Sequence, residues 1–203
     1  REKYIEDWRQ KPNVPMQPEK VEHALGEKQS RLEIIVWGDY MGDATAKVDR
    51  MIQGIMQGRD DVWYVFRHYP VNQQCNSRVT AMMHEFSCEA SMAVEAAGVV
   101  GGEDAYWNMH NWMFAHQENF TLDSISEGAQ AIGLNPQDVL SMMQDIRVSN
   151  AIRDDIDSGS VFRPRSIPNC FINGKHVPRP FFGDDCIIDD IASEVLGEDV
   201  RQN

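Results

Sequence analysis

The feature that most constrains this chain is the stretch RLEIIVWGDYMGDAT at Arg31–Thr45. Leu32-Glu33-Ile34-Ile35-Val36-Trp37 is a nearly continuous apolar run of strand length, which suits a strand covered on both faces. It breaks at Gly38-Asp39-Tyr40-Met41-Gly42. From Ala44 to Gly58 the residues Val48, Met51, Ile52, Ile55 and Met56 then recur at helical spacing, with Gly58 placed to end the helix. Val62-Trp63-Tyr64-Val65-Phe66 supplies a second strand, rich in β-branched and aromatic residues. Strand, helix and strand of these lengths form a βαβ unit, so the two strands are expected to run parallel. At the Gly38–Gly42 break, unpaired backbone N–H groups and the positive end of the helix dipole converge, and α/β folds often place chemistry there.

The remaining pattern reads as one domain with an insertion. Residues 1–30 are polar, contain Pro12, Pro15 and Pro18, and lack a sustained period. They read as an extended arm with a short helix around Glu19–Ala24, which makes 1–25 an N-terminal extension of a domain spanning 26–203. The middle, about 79–159, is helical: Val79–Ala97 with a break near Ser87, Asp104–Phe114, and a helix from Thr121 to near Gly133. Asn135 caps the next helix, with Pro136 in its first position, and this helix is expected to run through Ile146; Val148–Ser158 is a fifth. The chain then returns to strand at Asn169–Ile172, turns at Asn173-Gly174 and pairs back through Lys175–Val177. Ile187–Leu196 is a last helix.

Charge narrows the partners. A net charge of −13 disfavours nucleic acid and anionic membrane surfaces. No apolar run approaches the roughly 20 residues of a membrane span, and with no initiating Met, Arg1 reads as the start of a processed or trimmed chain. The 4 cysteines, Cys75, Cys88, Cys170 and Cys186, fit disulfides in an oxidising compartment. None forms a CxxC pair, so neither a zinc ribbon nor a dithiol motif can be read.

Five segments in order carry a family resemblance. They are Ile34-Ile35-Val36-Trp37-Gly38-Asp39-Tyr40, then Val65-Phe66-Arg67-His68-Tyr69-Pro70-Val71, then Ala93-Val94-Glu95-Ala96-Ala97-Gly98 with Tyr106-Trp107-Asn108-Met109-His110, then Gly133-Leu134-Asn135, and finally Ser166 through Gly174, SIPNCFING. From about Gly26 to Leu196 the chain resembles the DsbA-like thiol-disulfide oxidoreductases. The resemblance implies an α/β thioredoxin-like fold with a helical insertion, and an extracytoplasmic bacterial setting: periplasmic, cell-surface or secreted. It also implies a cis peptide bond at Pro168, which would turn the Ile167 backbone outward to pair with an extended substrate.

Against that pattern the turn is altered. Alignment on Asp39-Tyr40 puts Gly42 and Thr45 where the family has its two cysteines, with Asp43 and Ala44 between them. Thiol–disulfide exchange needs a thiolate stabilised at the helix N-terminus and a second thiol to resolve the mixed disulfide. Gly42 has no side chain, Thr45 offers only a hydroxyl of far higher pKa, and Asp43 disfavours a neighbouring anion. Asp43 and Thr45 are more simply helix-capping residues, and a threonine nucleophile would need a base that the local sequence lacks. No catalytic residue is assigned. Asp39 and Tyr40 read as structural.

Cys75 and Cys88 enclose a short loop and, with the helix that follows, resemble one subgroup of these domains. A structural disulfide is the favoured reading there, over a redox-active pair or a Cys75/His84/Cys88 metal site. Cys170 and Cys186 are expected to pair, with a buried thiol at Cys170 as the alternative. His110 and His116 lie on a Trp- and Met-rich face that reads as core, so no metal or cofactor is expected. The 11 methionines suit adaptable packing or an apolar groove. Three functions remain: a redox-inactive domain binding a protein or extended peptide beside Gly42–Thr45 and Ile167-Pro168; an enzyme using Cys75/Cys88 or another reaction at the altered turn; or an interaction module of a larger, membrane-anchored protein. The oligomeric state stays open.

Overall fold

The computed structural model describes residues 1–16, 22–80 and 82–200. In chain order the first elements are α1 (Glu2–Arg9), β1 (Leu32–Gly38), α2 (Asp43–Met56) and β2 (Val62–His68). A helical block follows: α3 (Ser87–Gly101), α4 (Glu103–His116), α5 (Leu122–Ala131), α6 (Pro136–Met142) and α7 (Ile146–Ser160). The chain ends with β3 (Asn169–Ile172), β4 (Lys175–Val177), β5 (Phe181–Phe182), β6 (Asp185–Cys186) and α8 (Ile188–Leu196). Two compact units result: Arg1–Trp37, Ala44–Phe66 and Pro168–Asn203 form one, and Gly38–Asp43 with Arg67–Ile167 form the other.

The first unit is built on a sheet of order β2-β1-β3-β4. Every residue of β2 and all of β1 except Glu33 are buried, as the near-continuous apolar runs require. β3 runs antiparallel to β1, with Ile34 opposite Ile172 and Trp37 opposite Asn169. The Asn173-Gly174 turn has φ of 47° and 74°, the left-handed pair that a two-residue hairpin needs for its twist to match the strands. A side chain at 174 would also collide with Asn13, and the neighbouring Val14 N–H donates to the Gly174 carbonyl at 2.8 Å. α2 buries Val48, Ile52 and Ile55 along one face.

In the second unit α3 packs against α4, α6 and α7. Small buried residues on α3, Ala93, Ala96 and Ala97, permit the close approach, while Tyr106, Trp107, Met109 and Met113 of α4 supply bulk. Thr121 and Ser124 form a reciprocal capping box at α5, and the Asn135 side chain accepts the Gln137 N–H at 2.9 Å.

Several expectations are corrected. The N-terminal arm contains a helix, α1, because Ile5 and Trp8 bury one face and Arg9 bonds Glu2, Glu6 and Glu194 at 2.6–2.9 Å. Two apolar residues are too few to show as a period. The helix expected around Glu19–Ala24 falls partly outside the described residues; 22–24 are not helical. Residues 79–80 and 82–86 are not helical, and the helix begins at Ser87; the Asn72 side chain donates to the His84 and Glu85 carbonyls just before it. The helix from Asn135 stops at Met142, because Asp145 accepts the Arg147 N–H at 2.9 Å and starts α7 instead.

Cys170 and Cys186 do not form the expected bond; both are buried free thiols. Cys170 lies in the main sheet opposite Val36 and Val177, whereas Cys186 lies on β6 opposite Phe181 rather than at the start of α8. Burial pushes the Cys186 thiol up to about 11 and that of Cys170 further still.

Candidate functional site

The β1–α2 turn is built around one carboxylate. Asp39 is fully buried, and an ionised carboxylate there requires donors on all sides. Its Oδ1 accepts the Met41 N–H at 2.8 Å, closing the turn locally. Oδ2 accepts the Val71 N–H at 2.7 Å and bonds His84 Nδ1 at 2.8 Å. Ser87 Oγ donates to both oxygens, at 2.6 and 2.7 Å. The Tyr69 N–H also donates to the Gly38 carbonyl at 2.7 Å. Val71 and His84 belong to the loop after β2 and Ser87 opens α3, so Asp39 fastens that loop and the start of α3 to the turn.

The loop is further closed by a Cys75–Cys88 disulfide across 13 positions. In the chain-entropy account such a loop stabilises by about 3 kcal/mol. The bridge also removes Cys75 and Cys88 as thiolate ligands, which overturns the alternative of a Cys75/His84/Cys88 metal site.

His84 is 29% exposed, with Nδ1 on Asp39 and no partner for Nε2 among the described residues. The bond to Asp39 raises its pKa above the ordinary 6.5, burial opposes this, and the charges of Asp39 and Asp43 add to the rise. A folded pKa above the unfolded one means the folded state holds the extra proton. The stabilisation is therefore complete below about 6.5 and is lost as pH rises through the folded value. A proton NMR titration of His84 is expected to give a midpoint above 6.5. Asp39→Asn should bring it to 6.5 or lower, and a wild-type midpoint below 6.5 would contradict the pairing.

The anticipated site residues take distinct places. Gly42 precedes α2, and its N–H donates to the Asp39 carbonyl at 3.0 Å. Asp43 is the first residue of α2, exposed, and accepts from Gln117 Nε2 at 2.8 Å. Ala44 is half-buried and Thr45 buried. Ile167 is half-buried, and its backbone N–H and C=O have no hydrogen-bond partner among the described residues. Pro168 is buried and leads into β3. In the sequence His84 appeared only as a member of the Cys75/His84/Cys88 metal alternative and Ser87 only as a helix break; their bonds to Asp39, 45 positions from His84, were not legible there.

A second buried network lies in the same unit. Arg67 pairs with Asp155 at 2.9 Å, the His68 N–H donates to the same carboxylate at 2.8 Å, and His68 Nε2 meets Glu95 at 2.8 Å. Burial pushes Asp155 up to about 6, against the opposing pull of His68 and Arg67. His68, Glu95 and Asp155 each present a possible ligand atom within 4.8 Å of the others. The two carboxylates already face Arg67 and His68, so an added cation would compete with existing pairs. Tyr40, fully buried, joins this region through a 2.9 Å bond to His110 Nδ1 and ring contacts with Phe114 and His68.

BdbD from Bacillus subtilis superposes with a TM-score of 0.68 at 17% identity, over 93% of this chain and 98% of that one. The thiol-disulfide exchange protein alpha-DsbA2 from Wolbachia pipientis gives 0.67 at 15% identity, covering 86% of each chain. This is a DsbA-like thioredoxin fold. The DsbA-like core accounts for the order of the elements, with five helices between β2 and β3. No protein-family model matches the chain. Among curated sequences, it is similar to Na(+)/H(+) antiporter NhaA 1 of Mycobacterium sp. (strain KMS), 30% identical over 193 residues, and to NhaA 3 of Salinispora tropica, 23% identical over 168. The chain spans 28% and 24% of the length of those two relatives. No helix among the described residues is long and apolar enough to cross a membrane.

Proposed function

We propose that this chain is a redox-inactive DsbA-like domain that binds an extended peptide or a protein segment in an extracytoplasmic bacterial setting. The observation carrying this reading is a DsbA-like fold whose β1–α2 turn, Gly42-Asp43-Ala44-Thr45, contains no thiol. In this reading Gly42 and Thr45 stand at the family's cysteine positions, and Ile167, whose backbone groups are unbonded among the described residues, is the strand edge offered to the peptide. Cys75–Cys88 serves as a structural clamp. Cysteine-free extended peptides are expected to bind, with Kd rising about tenfold or more on Ile167→Pro, which removes the N–H donor. Peptide binding that ignores this substitution would count against the edge-pairing role.

The second reading is an interaction module joined to a membrane transporter. Its support is the similarity to antiporters several times longer than the matched region. The reading frame surrounding this sequence decides it: a frame with no transporter segment removes the idea.

A further inference from the structure

The segment Arg163-Pro164-Arg165 leads into the Ile167-Pro168 loop, and at most about 7 Å of chain separates Arg165 from Ile167. Both arginines are exposed, and neither side chain has a hydrogen-bonding or ionic partner among the described residues. Elsewhere the guanidinium groups find carboxylates: Arg9, Arg59, Arg67, Arg78 and Arg147 each meet one at 2.6–3.0 Å. At a net charge of −13, two unneutralised arginines in one short loop are not left so for want of carboxylates. Their backbone is anchored at the end of α7, where the Phe162 and Arg163 N–H groups donate to the Gly159 and Ser160 carbonyls at 3.2 and 3.0 Å. Arg163 takes φ of 49°, a left-handed conformation unfavourable to a residue with a Cβ, and Pro164 fixes the next φ. An arginine just past a helix commonly donates its side chain to the last carbonyls. Here backbone N–H groups fill that role, and both guanidinium groups are left to solvent on the approach to Ile167.

We propose that Arg163 and Arg165 form an anion-reading pair that takes the Asp or Glu side chains flanking the stretch of partner chain held at Ile167. This rests on the peptide-binding reading above and specifies its ligand as an extended acidic segment. Arginine suits the task because its planar guanidinium presents two parallel N–H donors to a carboxylate, which fixes orientation as well as charge. The chain's overall negative charge repels acidic segments from afar, but at physiological salt that repulsion is screened beyond about 8 Å. Selection therefore falls to the cations that stand beside the bound segment.

The test is fluorescence anisotropy with labelled, C-terminally amidated decapeptides alternating Thr with Glu or Thr with Gln, at physiological salt. The Thr/Glu peptide is expected to bind about tenfold tighter, the combined effect of two exposed ion pairs. Arg163→Gln combined with Arg165→Gln should abolish that tenfold and leave Thr/Gln binding and the melting temperature unchanged, since both side chains are exposed. Lysine at both positions keeps the charge but loses the fork, so only part of the preference should survive. Thr/Glu binding no tighter than Thr/Gln, with both sensitive to Ile167→Pro, overturns the acidic preference while sparing the peptide-binding reading. A preference that persists in the double glutamine variant overturns the assignment to these arginines. A Thr/Gln peptide with a free C-terminus that matches Thr/Glu would give the pair to chain ends and overturn Asp and Glu side chains as its ligand. Failure of every peptide to bind the wild-type chain overturns both readings.

Discussion

Gly42→Cys combined with Thr45→Cys is expected to give this chain dithiol activity that the native turn has no thiols to perform. Position 42 precedes the first residue of α2, where unpaired N–H groups and the helix dipole stabilise a thiolate. Position 45 is buried one helical turn later, a suitable place for the thiol that resolves a mixed disulfide. Reduction of insulin by dithiothreitol should run at background with the wild-type chain and roughly tenfold or more above it with the double variant. Asp43 works against this gain, so adding Asp43→Asn should raise the activity further. A double variant that forms its disulfide yet stays inert would show that these positions do not stand where the family keeps its cysteines. Wild-type turnover that disappears on Cys75→Ser would replace the binding role with the Cys75/Cys88 enzyme reading.

Much of the architecture was legible because it rests on long, strongly patterned segments. The apolar runs at Leu32–Trp37 and Val62–Phe66 and the Asn173-Gly174 turn correspond to β1, β2 and the β3–β4 hairpin. Where the reading failed, side chains satisfied the backbone in ways that hydrophobic period does not register. The residues before Ser87 resembled the start of a helix, but the Asn72 side chain bonds the His84 and Glu85 carbonyls, and the Cys75–Cys88 disulfide spans the segment. Met142–Ile146 looked continuous until Asp145 proved to be a cap. The candidate site divides the same way. Gly42–Thr45 and Ile167-Pro168 were visible as local departures and matches, whereas His84 and Ser87 acquire meaning only when the loop returns to Asp39. Asp39 itself reads as structural in sequence, and its burial shows how much structure depends on it.

Removing that carboxylate is therefore expected to cost more than any surface change near the turn. Asp39 is 0% exposed and accepts from two backbone N–H groups, one imidazole and one hydroxyl. Asp39→Ala leaves the Met41 and Val71 N–H groups, His84 and Ser87 without that acceptor. By analogy with breaking a buried charge pair, the expected loss is about 3–5 kcal/mol. Asp39→Asn keeps the volume and one acceptor oxygen but turns an NH₂ group toward donors such as Val71 N–H, so a loss of about 2–3 kcal/mol is expected there too. Ser87→Ala, which removes one donor and leaves the other three partners in place, should cost only about 1 kcal/mol. Urea unfolding at pH 6 compares the three, with the His84 NMR midpoint read in parallel. If the carboxylate joins the loop to the turn, the Asp39 variants lose stability and lower the His84 midpoint together. A loss below about 1 kcal/mol for Asp39→Ala would mean that water or a rearranged loop replaces the carboxylate.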